Sequence, residues 1–415
     1  MIITTLILAS IELVAPARDA TVKLVPDCQR AVITNETMSA REAVLDADRH
    51  GDKKLRHSDG WRKSVPVVFK WCATDGEGGP WELVVSKKPN LSDARVFLFH
   101  GAKADKATGR VEERGGGEEV SHEEKMLNLE IATRYYWRVT GNITCGRFSH
   151  RRKCSCKDKR APVMSEIGTF TTEDLAPRWI AIEGSVGNFR DLGGRIGRDG
   201  RRVRQGMVYR SQGLNNNSVD GIIKGKNRMM VSDVEYLTGT LGIRTDLDLR
   251  SDGETAGMNG VSPLGASVAF IHHSSPAYKG IFCDEGKSVM AKNFRVFCDE
   301  KNYPILFHCI GGADRTGALA YVLNGVLGVS RQGLETDWES TFYPVIPGAK
   351  EKEGGEHVWN SEWHFNEGFG KYGGKDATWN ERIELYLLDC GIMREEIEKF
   401  RSIMLEPACG GGGSR

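Results

Sequence analysis

The stretch PILFHCIGGADRTGALA, residues 304–320, decides the fold of the C-terminal half of this 415-residue chain. Its apolar first part has the composition of a buried strand. The residues from Thr316 to Gly328 have the composition of a helix. Between them lies a short segment, Cys309–Arg315, that we call the cysteine loop. A strand, a tight loop and a helix in this order predict an α/β domain.

The cysteine loop has the composition of an anion-binding site. Its backbone N–H groups come from five successive residues: Ile310, Gly311, Gly312, Ala313 and Asp314. The two glycines allow these groups to turn inward without a clash from a Cβ atom. Amides that converge at the N-terminus of a helix bind anions, and the planar guanidinium of Arg315 can grip two phosphate oxygens.

The same positive field acts on the thiol. A free thiol has a pKa near 8.5, and helix N-termini or nearby cations lower it to about 3.5–7.5. We therefore expect Cys309 to be an anion at neutral pH, placed for in-line attack on a bound phosphorus. The alternative is a buried structural cysteine beside a tight turn. The agreement between the loop and its strand–helix context disfavours that alternative.

The loop resembles that of the cysteine-dependent protein tyrosine phosphatases. More narrowly, it is similar to the bacterial tyrosine/serine phosphatase family, whose loop reads HCxxGKDRTG. Three further strings match the family in its order: GNFRDLGG (187–194), VYRSQGL (208–214) and TDLDLRSDGE (245–254). DWEST (337–341) and ELYLLDCGI (384–392) also resemble family features. The resemblance implies a phosphatase-like α/β domain, with a central sheet flanked by helices, over residues 181–408.

The resemblance also implies a role for each matching residue. Cys309 would be the nucleophile that forms a cysteinyl-phosphate, and Arg315 would bind the phosphate and stabilise the transition state. His308 would tune the nucleophile, and Thr316 would hydrogen-bond the thiolate and help it leave. The implied reaction is hydrolysis of a phosphate monoester that needs no metal and no other cofactor.

The general acid has two candidates. Asp314 lies in the loop itself and is the acid that the resemblance favours, whereas Asp248 in the predicted strand RTDLDLR (244–250) is the rival. Such an acid typically contributes roughly a 10²–10⁴-fold effect. Asp248 could instead hold Arg315 in place, or form a buried structural ion pair with Arg250.

Ala313 departs from the family loop, which carries lysine at this position. The missing charge disfavours polyanionic headgroups. We therefore expect a phosphorylated protein or peptide as substrate, with phosphotyrosine preferred and phosphoserine or phosphothreonine as further substrates. The alternatives are an inositol-polyphosphate phosphatase of the same chemistry and a non-catalytic phosphate-binding or adhesion protein.

Two further segments have open interpretations. Asn188, Arg190 and Asp191 either shape the floor of the site or tie the first turn of the domain to its core, and we favour the second. Residues 358–380, rich in aromatic side chains and glycine, either cover the pocket or form an irregular surface loop, and we favour the loop.

The N-terminal half, residues 22–173, has the pattern of short strands. Stretches such as VPVVFKWCA (65–73), WELVVSKK (81–88) and ATRYYWRVTGNI (132–143) alternate with glycine-rich turns and have no amphipathic helix between them. This pattern predicts a β-sandwich. The order of its aromatic and apolar residues resembles a fibronectin type III module, which implies an immunoglobulin-like sandwich with a partner of its own. Residues 174–180 are the predicted linker.

The composition and the termini supply the remaining expectations. A formal net charge of +1 gives no global attraction to nucleic acid. Residues 1–17 have an apolar run and a small-x-small ending, which predicts a signal peptide and a periplasmic or secreted location; a first strand or helix of the folded chain is the alternative. No other stretch is apolar enough to span a bilayer. Residues 409–415 are a predicted flexible tail.

Overall fold

The computed structural model describes residues 10–37, 39–41, 43, 64–73, 81–99, 120–141, 162–184, 186–215, 229–341 and 360–408. The chain divides into two compact units. The first combines Met1–Leu24 with Val65–Asp174, and the second combines Val25–Ser64 with Leu175–Arg415. The segment Val25–Ser64 is therefore assigned to the C-terminal unit, although it lies between strands of the first unit in sequence; of this segment, residues 25–37, 39–41, 43 and 64 are described.

The described part of the first unit consists of strands. They are β1 (Ile11–Ala15), β2 (Ala20–Val22), β3 (Val67–Ala73), β4 (Trp81–Ser86), β5 (Arg95–Phe99), β6 (Val120–Met126), β7 (Arg134–Gly141), β8 (Val163–Met164) and β9 (Gly168–Thr172). One sheet has the order β1-β3-β6, and the other has the order β2-β9-β7-β4-β5, with β8 paired to β7. The ring of Phe69 on β3 meets the ring of Trp137 on β7 at 5.1 Å, so apolar faces of the two sheets pack together.

Strand β1 lies inside the predicted signal peptide. It pairs antiparallel with β3, with Leu13 opposite Trp71. Residues 1–9, which hold most of the predicted apolar run, lie outside the described residues. Cleavage after Ala17 would remove β1 from its sheet. The signal peptide and the boundaries of the two domains stay predictions.

The second unit is built on one six-stranded sheet. Its strands are β10 (Arg178–Trp179), β11 (Arg190–Asp191), β12 (Val208–Ser211), β13 (Thr245–Asp248), β14 (Ala269–His272) and β15 (Ile305–His308). The order is β10-β11-β12-β15-β13-β14, and the last four are parallel. Parallel strands in a sheet that helices cover confirm the predicted α/β architecture.

Nine α-helices are described in the second unit. They are α1 (Asp27–Ile33), α2 (Val231–Glu235), α3 (Asp252–Thr255), α4 (Asp284–Val296), α5 (Asp314–Val326), α6 (Arg331–Ser340), α7 (Ser361–Gly370), α8 (Trp379–Asp389) and α9 (Arg394–Met404). Ile305 and Phe307 of β15 point into one hydrophobic core, and Leu306 points into the other. Strand side chains alternate between the two faces, so β15 is buried on both. None of the described helices is long and apolar enough to cross a membrane.

The segment 358–380 is not the irregular loop that we favoured. Residues 361–370 form α7, and Phe365 and Phe369 on that helix are buried in the core. Asn360 begins the helix because its side-chain oxygen accepts hydrogen bonds from the amides of Glu362 and Trp363. Two of the aromatic residues that suggested a pocket cover, Phe365 and Phe369, are therefore core residues of a helix, whereas Trp363 on the same helix is half exposed.

Helix α6 has partners on two opposite sides. Glu335 and Glu339, four residues apart, both contact Arg41, which the second unit buries completely. The Arg41 Nε donates to Glu339 at 2.5 Å, and its Nη2 donates to Glu335 at 2.8 Å. Asp337 lies on the other side of the helix, because two residues correspond to roughly 200° of rotation.

Candidate active site

The cysteine loop begins at the carboxyl end of the central strand. His308, the last residue of β15, is the register partner of Ser211 at the end of β12 and of Asp248 at the end of β13. Helix α5 starts at Asp314, so the predicted order of strand, loop and helix is confirmed. Ligands of open α/β sheets bind beyond the carboxyl ends of the strands, which makes this edge the expected position for a site.

Gly312 is the loop position that only glycine can occupy. Its φ angle is +65°, a left-handed conformation that other residues rarely adopt. A Cβ atom built on it would lie 2.4 Å from the Ser211 carbonyl oxygen and 2.8 Å from the Gln212 amide nitrogen. Gly311 has no such restriction, because its Cβ would meet nothing closer than the Ala313 Cβ at 3.9 Å.

Two side chains donate hydrogen bonds to the carbonyl groups of the cysteine loop. Asn188 Nδ2 donates to the carbonyl oxygens of Gly311 at 3.3 Å and Gly312 at 2.9 Å, and Arg210 Nη2 donates to the Gly312 carbonyl oxygen at 2.6 Å. In a trans peptide the N–H points away from the preceding C=O. The amides of Gly312 and Ala313 therefore point to the opposite side, and they donate to no residue in the described part of the chain. This is the arrangement that an anion cradle requires.

The residues that hold these carbonyls belong to one buried network. Arg190 donates through Nε to Asp337 Oδ1 at 3.0 Å, and Arg210 donates through Nη1 to Asp337 Oδ2 at 2.7 Å. Arg190 also donates to the side-chain oxygen of Asn188. Burial alone would raise the pKa of Asp337, but Arg190 and Arg210 outweigh it and hold the pKa well below its usual range. The strings around 188, 210 and 337 thus meet behind the loop.

Asn188 and Arg190 therefore shape the floor of the site, contrary to the interpretation that we favoured. Asp191 behaves as that interpretation predicts: it pairs with Arg178 at 2.8 Å and accepts hydrogen bonds from the amides of Gly193 and Gly206. Arg190 and Asp191 are neighbours on β11, so their side chains point to opposite faces of the sheet and contact different parts of the domain.

His308 is buried between two aspartates. Its Nε2 lies 2.9 Å from Asp246 Oδ1, and its Nδ1 lies 3.8 Å from Asp248 Oδ1 and 3.3 Å from the Cys309 carbonyl oxygen. Burial lowers the pKa of His308, but Asp248 and Asp246 outweigh it, and the net shift is upward. The environment therefore favours the imidazolium form directly behind the nucleophile position.

Asp248 is occupied by Arg250. The Arg250 Nη2 donates to Asp248 Oδ2 at 2.6 Å, and its Nε lies 3.0 Å from both carboxylate oxygens. Burial acts to raise the pKa of Asp248, but His308 and Arg250 lower it by a larger amount, so the net shift is downward. A carboxylate in this state holds no proton to donate at neutral pH. The contacts favour the structural ion pair with Arg250, and the acid role of Asp248 stays a prediction.

Arg315 is held by a residue that the sequence did not identify as important. Its Nη1 and Nη2 donate to Glu254 Oε2 at 2.5 Å and Oε1 at 3.0 Å, a two-pronged pair. The hydrogen bond from Arg315 is the main cause that lowers the pKa of Glu254 to about 2. Glu254 is itself fixed, because its Oε2 accepts from the Ser251 amide in a capping box at the start of α3. Glu254, not Asp248, positions Arg315.

Asp314 has an aromatic neighbour. The Tyr278 hydroxyl donates a hydrogen bond to Asp314 Oδ1. Tyr278 has a φ angle of +53°, unusual for a bulky residue, and its ring stacks on His364 at 4.3 Å. Such backbone strain persists where surrounding packing demands it, often at functional sites. The contact makes Tyr278 a second residue that sequence reasoning missed.

The structure brings most of the predicted site residues to one place. Cys309 is buried at the base of the loop, and Asp314 and Arg315 lie half-buried at the start of α5. Thr316 is also buried, but its hydroxyl has no hydrogen-bond partner among the described residues, so the predicted bond to Cys309 is not made. A thiol, inward amides and an oriented guanidinium on one loop can together bind and attack a tetrahedral oxyanion.

The C-terminal part of the chain is similar in sequence to known proteins. The model of the tyrosine phosphatase family matches residues 181–406. A Cupriavidus necator protein provisionally named a tyrosine-protein phosphatase is 29% identical over 174 residues, which cover 36% of this chain and 58% of that relative. The chain therefore matches little more than half the length of this relative.

Two solved structures are also similar. One is the core catalytic domain of the PP-IP phosphatase Siw14 from S. cerevisiae in complex with citrate, at 15% identity and a TM-score of 0.24; the match covers 36% of this chain and 78% of that one. The other is a Siw14 catalytic core, at 14% identity and a TM-score of 0.22, and that match covers 37% and 88%.

Proposed function

The chain belongs to the tyrosine phosphatase family, and on that premise we propose that it hydrolyses phosphate monoesters through a phosphocysteine on Cys309. The observation that carries the proposal is the geometry of the cysteine loop. Asn188 and Arg210 fix its carbonyls on one side, so that its amides converge on the other, at the start of α5. This cradle suits the three non-bridging oxygens of a phosphoryl group.

The proposed reaction has two steps. In the first, the Cys309 sulfur attacks phosphorus, a P–S bond forms and the P–O bond to the leaving group breaks. Asp314 gives its proton to the leaving oxygen. In the second, water attacks phosphorus, Asp314 takes a proton from it, and the P–S bond breaks to release inorganic phosphate and the thiolate. Arg315, oriented by Glu254, stabilises the charge on the phosphoryl oxygens in both steps.

The proposed substrate is a phosphorylated protein or peptide, with phosphotyrosine preferred. Support comes from the charges beside the loop. Arg315 has two carboxylates close to it, Glu254 and Asp314, and Ala313 supplies no charge. A substrate with one phosphate needs only the loop and Arg315, whereas an inositol polyphosphate needs additional cations for its other phosphates.

The test uses the full chain with p-nitrophenyl phosphate in the presence of EDTA. Cys309→Ser should abolish hydrolysis, because the serine hydroxyl is a far weaker nucleophile than a thiolate. Cys283→Ser is the matched control: Cys283 is an exposed cysteine at the N-terminus of α4, outside the cysteine loop, and its loss should leave the rate unchanged. Full activity of the Cys309 variant would refute the mechanism.

A substrate panel separates the proposed substrate from its alternatives. We expect kcat/KM to be highest for a phosphotyrosine peptide, lower for a phosphoserine peptide and lowest for inositol hexakisphosphate. A higher value for the inositol phosphate would refute the substrate proposal and leave the mechanism intact. Binding of phosphate without turnover of any substrate would instead support a non-catalytic phosphate-binding protein.

For the first unit, the proposal is an exported module of fibronectin type III-like architecture. Its support is a pair of mainly antiparallel sheets whose aromatic side chains, Phe69 and Trp137, pack between them. Export is tested by N-terminal sequencing of material recovered outside the cytoplasm. The sequence should begin near Arg18, and an intact Met1 would contradict the proposal.

A further inference from the structure

We propose that Arg210 is a positioning residue of the active site: from behind the cysteine loop it fixes the Gly312 carbonyl, and its charge stabilises the thiolate of Cys309. The inference rests on the proposed function, in which Cys309 is the nucleophile. It assigns a role to a buried cation that takes no part in the reaction steps. Arg210 binds the carbonyl side of the cysteine loop, opposite to the amides of Gly312 and Ala313 that would face the substrate. Its effect would act through the loop and through space.

The first support is the position of Arg210. It lies on β12, next to β15, and its register partner is Phe307, two residues before Cys309. Its side chain has no exposed surface. Its Nη2 donates to the Gly312 carbonyl oxygen at 2.6 Å, so one end of the guanidinium touches the loop that holds Cys309.

The second support is the balance of charge around the loop. The other cations there have a carboxylate each: Arg315 has Glu254, Arg250 has Asp248, and His308 has Asp246. Arg190 and Arg210 differ, because both bind the single carboxylate of Asp337, from which Arg195 also lies only 3.4 Å away. Three arginines therefore share one carboxylate behind the loop, which leaves a surplus of positive charge in the buried interior, where charges interact strongly.

The third support is that Arg210 and Cys309 interact electrostatically. Burial and the neighbouring Arg190 lower the pKa of Arg210 to about 9, while Asp337 and a charge on Cys309 act to raise it. At neutral pH the guanidinium is therefore still protonated. Such coupling is reciprocal: if an anionic sulfur stabilises the cation, the cation stabilises the anionic sulfur to the same extent.

Other titratable groups also surround the sulfur and must be held constant in a test. They are His308 on β15, Asp246 and Asp248 on β13, Arg250 after β13, Glu254 on α3, Tyr278 in the segment before α4, Asp314 and Arg315 on α5, and Arg190 and Arg195 with Asp337 behind the loop. A single substitution at position 210 changes none of their side chains.

The experiment measures the rate of Cys309 alkylation by iodoacetamide against pH, in the full chain without substrate. Only the thiolate displaces iodide, so the midpoint of the rate profile reports its formation. Trypsin cleaves after Lys301 and Arg315, and residues 302–315 contain one cysteine, so mass spectrometry of that peptide identifies the site. Circular dichroism establishes that each variant is folded.

Arg210→Met should move the midpoint upward by about one pH unit or more, which lowers the alkylation rate on the acid side about tenfold. Arg210→Lys keeps the charge and should lie closer to the wild type than to Arg210→Met. Asp337→Asn enlarges the surplus of positive charge and should move the midpoint downward. A shift in this direction cannot come from a disrupted loop, which would weaken the stabilisation of the thiolate.

An unchanged midpoint in Arg210→Met, or equal shifts in the Met and Lys variants, would overturn the inference. If Arg210→Met does not fold, Asp337→Asn decides: a downward shift supports the inference, and no shift or an upward shift overturns it. Alkylation of Cys309 can be measured whether or not the protein hydrolyses a substrate. If the wild type hydrolyses no substrate but Arg210→Met still shifts the midpoint of Cys309 alkylation upward, the proposed function alone is refuted. If the wild type is active but Arg210→Met leaves that midpoint unchanged, the inference alone is refuted.

Discussion

Replacing Gly312 with alanine tests whether close packing against β12 sets the shape of the cysteine loop. The added Cβ would lie 2.4 Å from the Ser211 carbonyl oxygen. That distance has to lengthen by about 0.6 Å to reach 3.0 Å, below which Cβ contacts are essentially never found. The atom in the way belongs to the backbone of a central strand, so the loop has to move.

The cost has two sources. A non-glycine residue in the left-handed conformation costs about 1–2 kcal/mol. Displacement of Gly312 also weakens the hydrogen bonds that its carbonyl accepts from Asn188 at 2.9 Å and from Arg210 at 2.6 Å, and bonds of this kind contribute about 0.5–3 kcal/mol each. We expect a loss of about 2–4 kcal/mol of folding free energy. A displacement of this size should also lower kcat/KM by about 100-fold.

Gly311→Ala is the matched control in the same loop. Its Cβ would meet nothing closer than the Ala313 Cβ at 3.9 Å, which is an ordinary contact. Urea unfolding followed by circular dichroism, together with p-nitrophenyl phosphate hydrolysis, should show a destabilised Gly312 variant and a Gly311 variant as stable as the wild type. Equal stability of the two variants would refute the argument from packing and φ, whatever their activities.

Three other substitutions test contacts of the site. Glu254→Gln should raise KM, because it loosens Arg315. Since the pKa of Glu254 is about 2 in the folded protein, the carboxylate should stabilise the fold fully above about pH 4.5, and this stabilisation should fade as the pH falls towards 2. Thermal melts of the wild type and the variant across this pH range would measure the difference. Tyr278→Phe should slow phenyl phosphate more than p-nitrophenyl phosphate, because it removes a bond that holds Asp314; equal slowing would contradict this role. Arg41→Met should cost about 3–5 kcal/mol in urea unfolding, since it removes the fully buried cation that Glu335 and Glu339 share, and a loss below about 1 kcal/mol would contradict the argument.

The sequence was sufficient to predict the local elements. The apolar run before Cys309 and the helical run after it form β15 and α5, and the predicted strands around Trp71 and Trp137 form β3 and β7. These predictions depend on periodicity and composition, which neighbouring residues determine. Strand β6 was missed because its sequence, VSHEEKM, is polar, and backbone pairing with β3 needs no apolar pattern.

The contacts that support the loop could not be predicted in the same way. Asp337 is more than a hundred residues away from both Arg190 and Arg210, and Glu254 is 61 residues away from Arg315. A single sequence does not show which distant charges meet. The family resemblance identified the strings that contain these residues. The contacts that these residues make with one another are seen only in the folded chain. The catalytic roles assigned to individual residues stay predictions.

The position of Arg41 has a practical consequence for anyone who wishes to isolate the catalytic half. A fragment that starts at residue 175, where the β-rich unit ends in sequence, would lack Arg41, the buried cation that Glu335 and Glu339 share. It would also lack Gln29, which accepts a hydrogen bond from the Trp179 indole. Expression of the second unit by itself therefore calls for a shortened chain that keeps residues 25–64, for instance by joining them to residue 175.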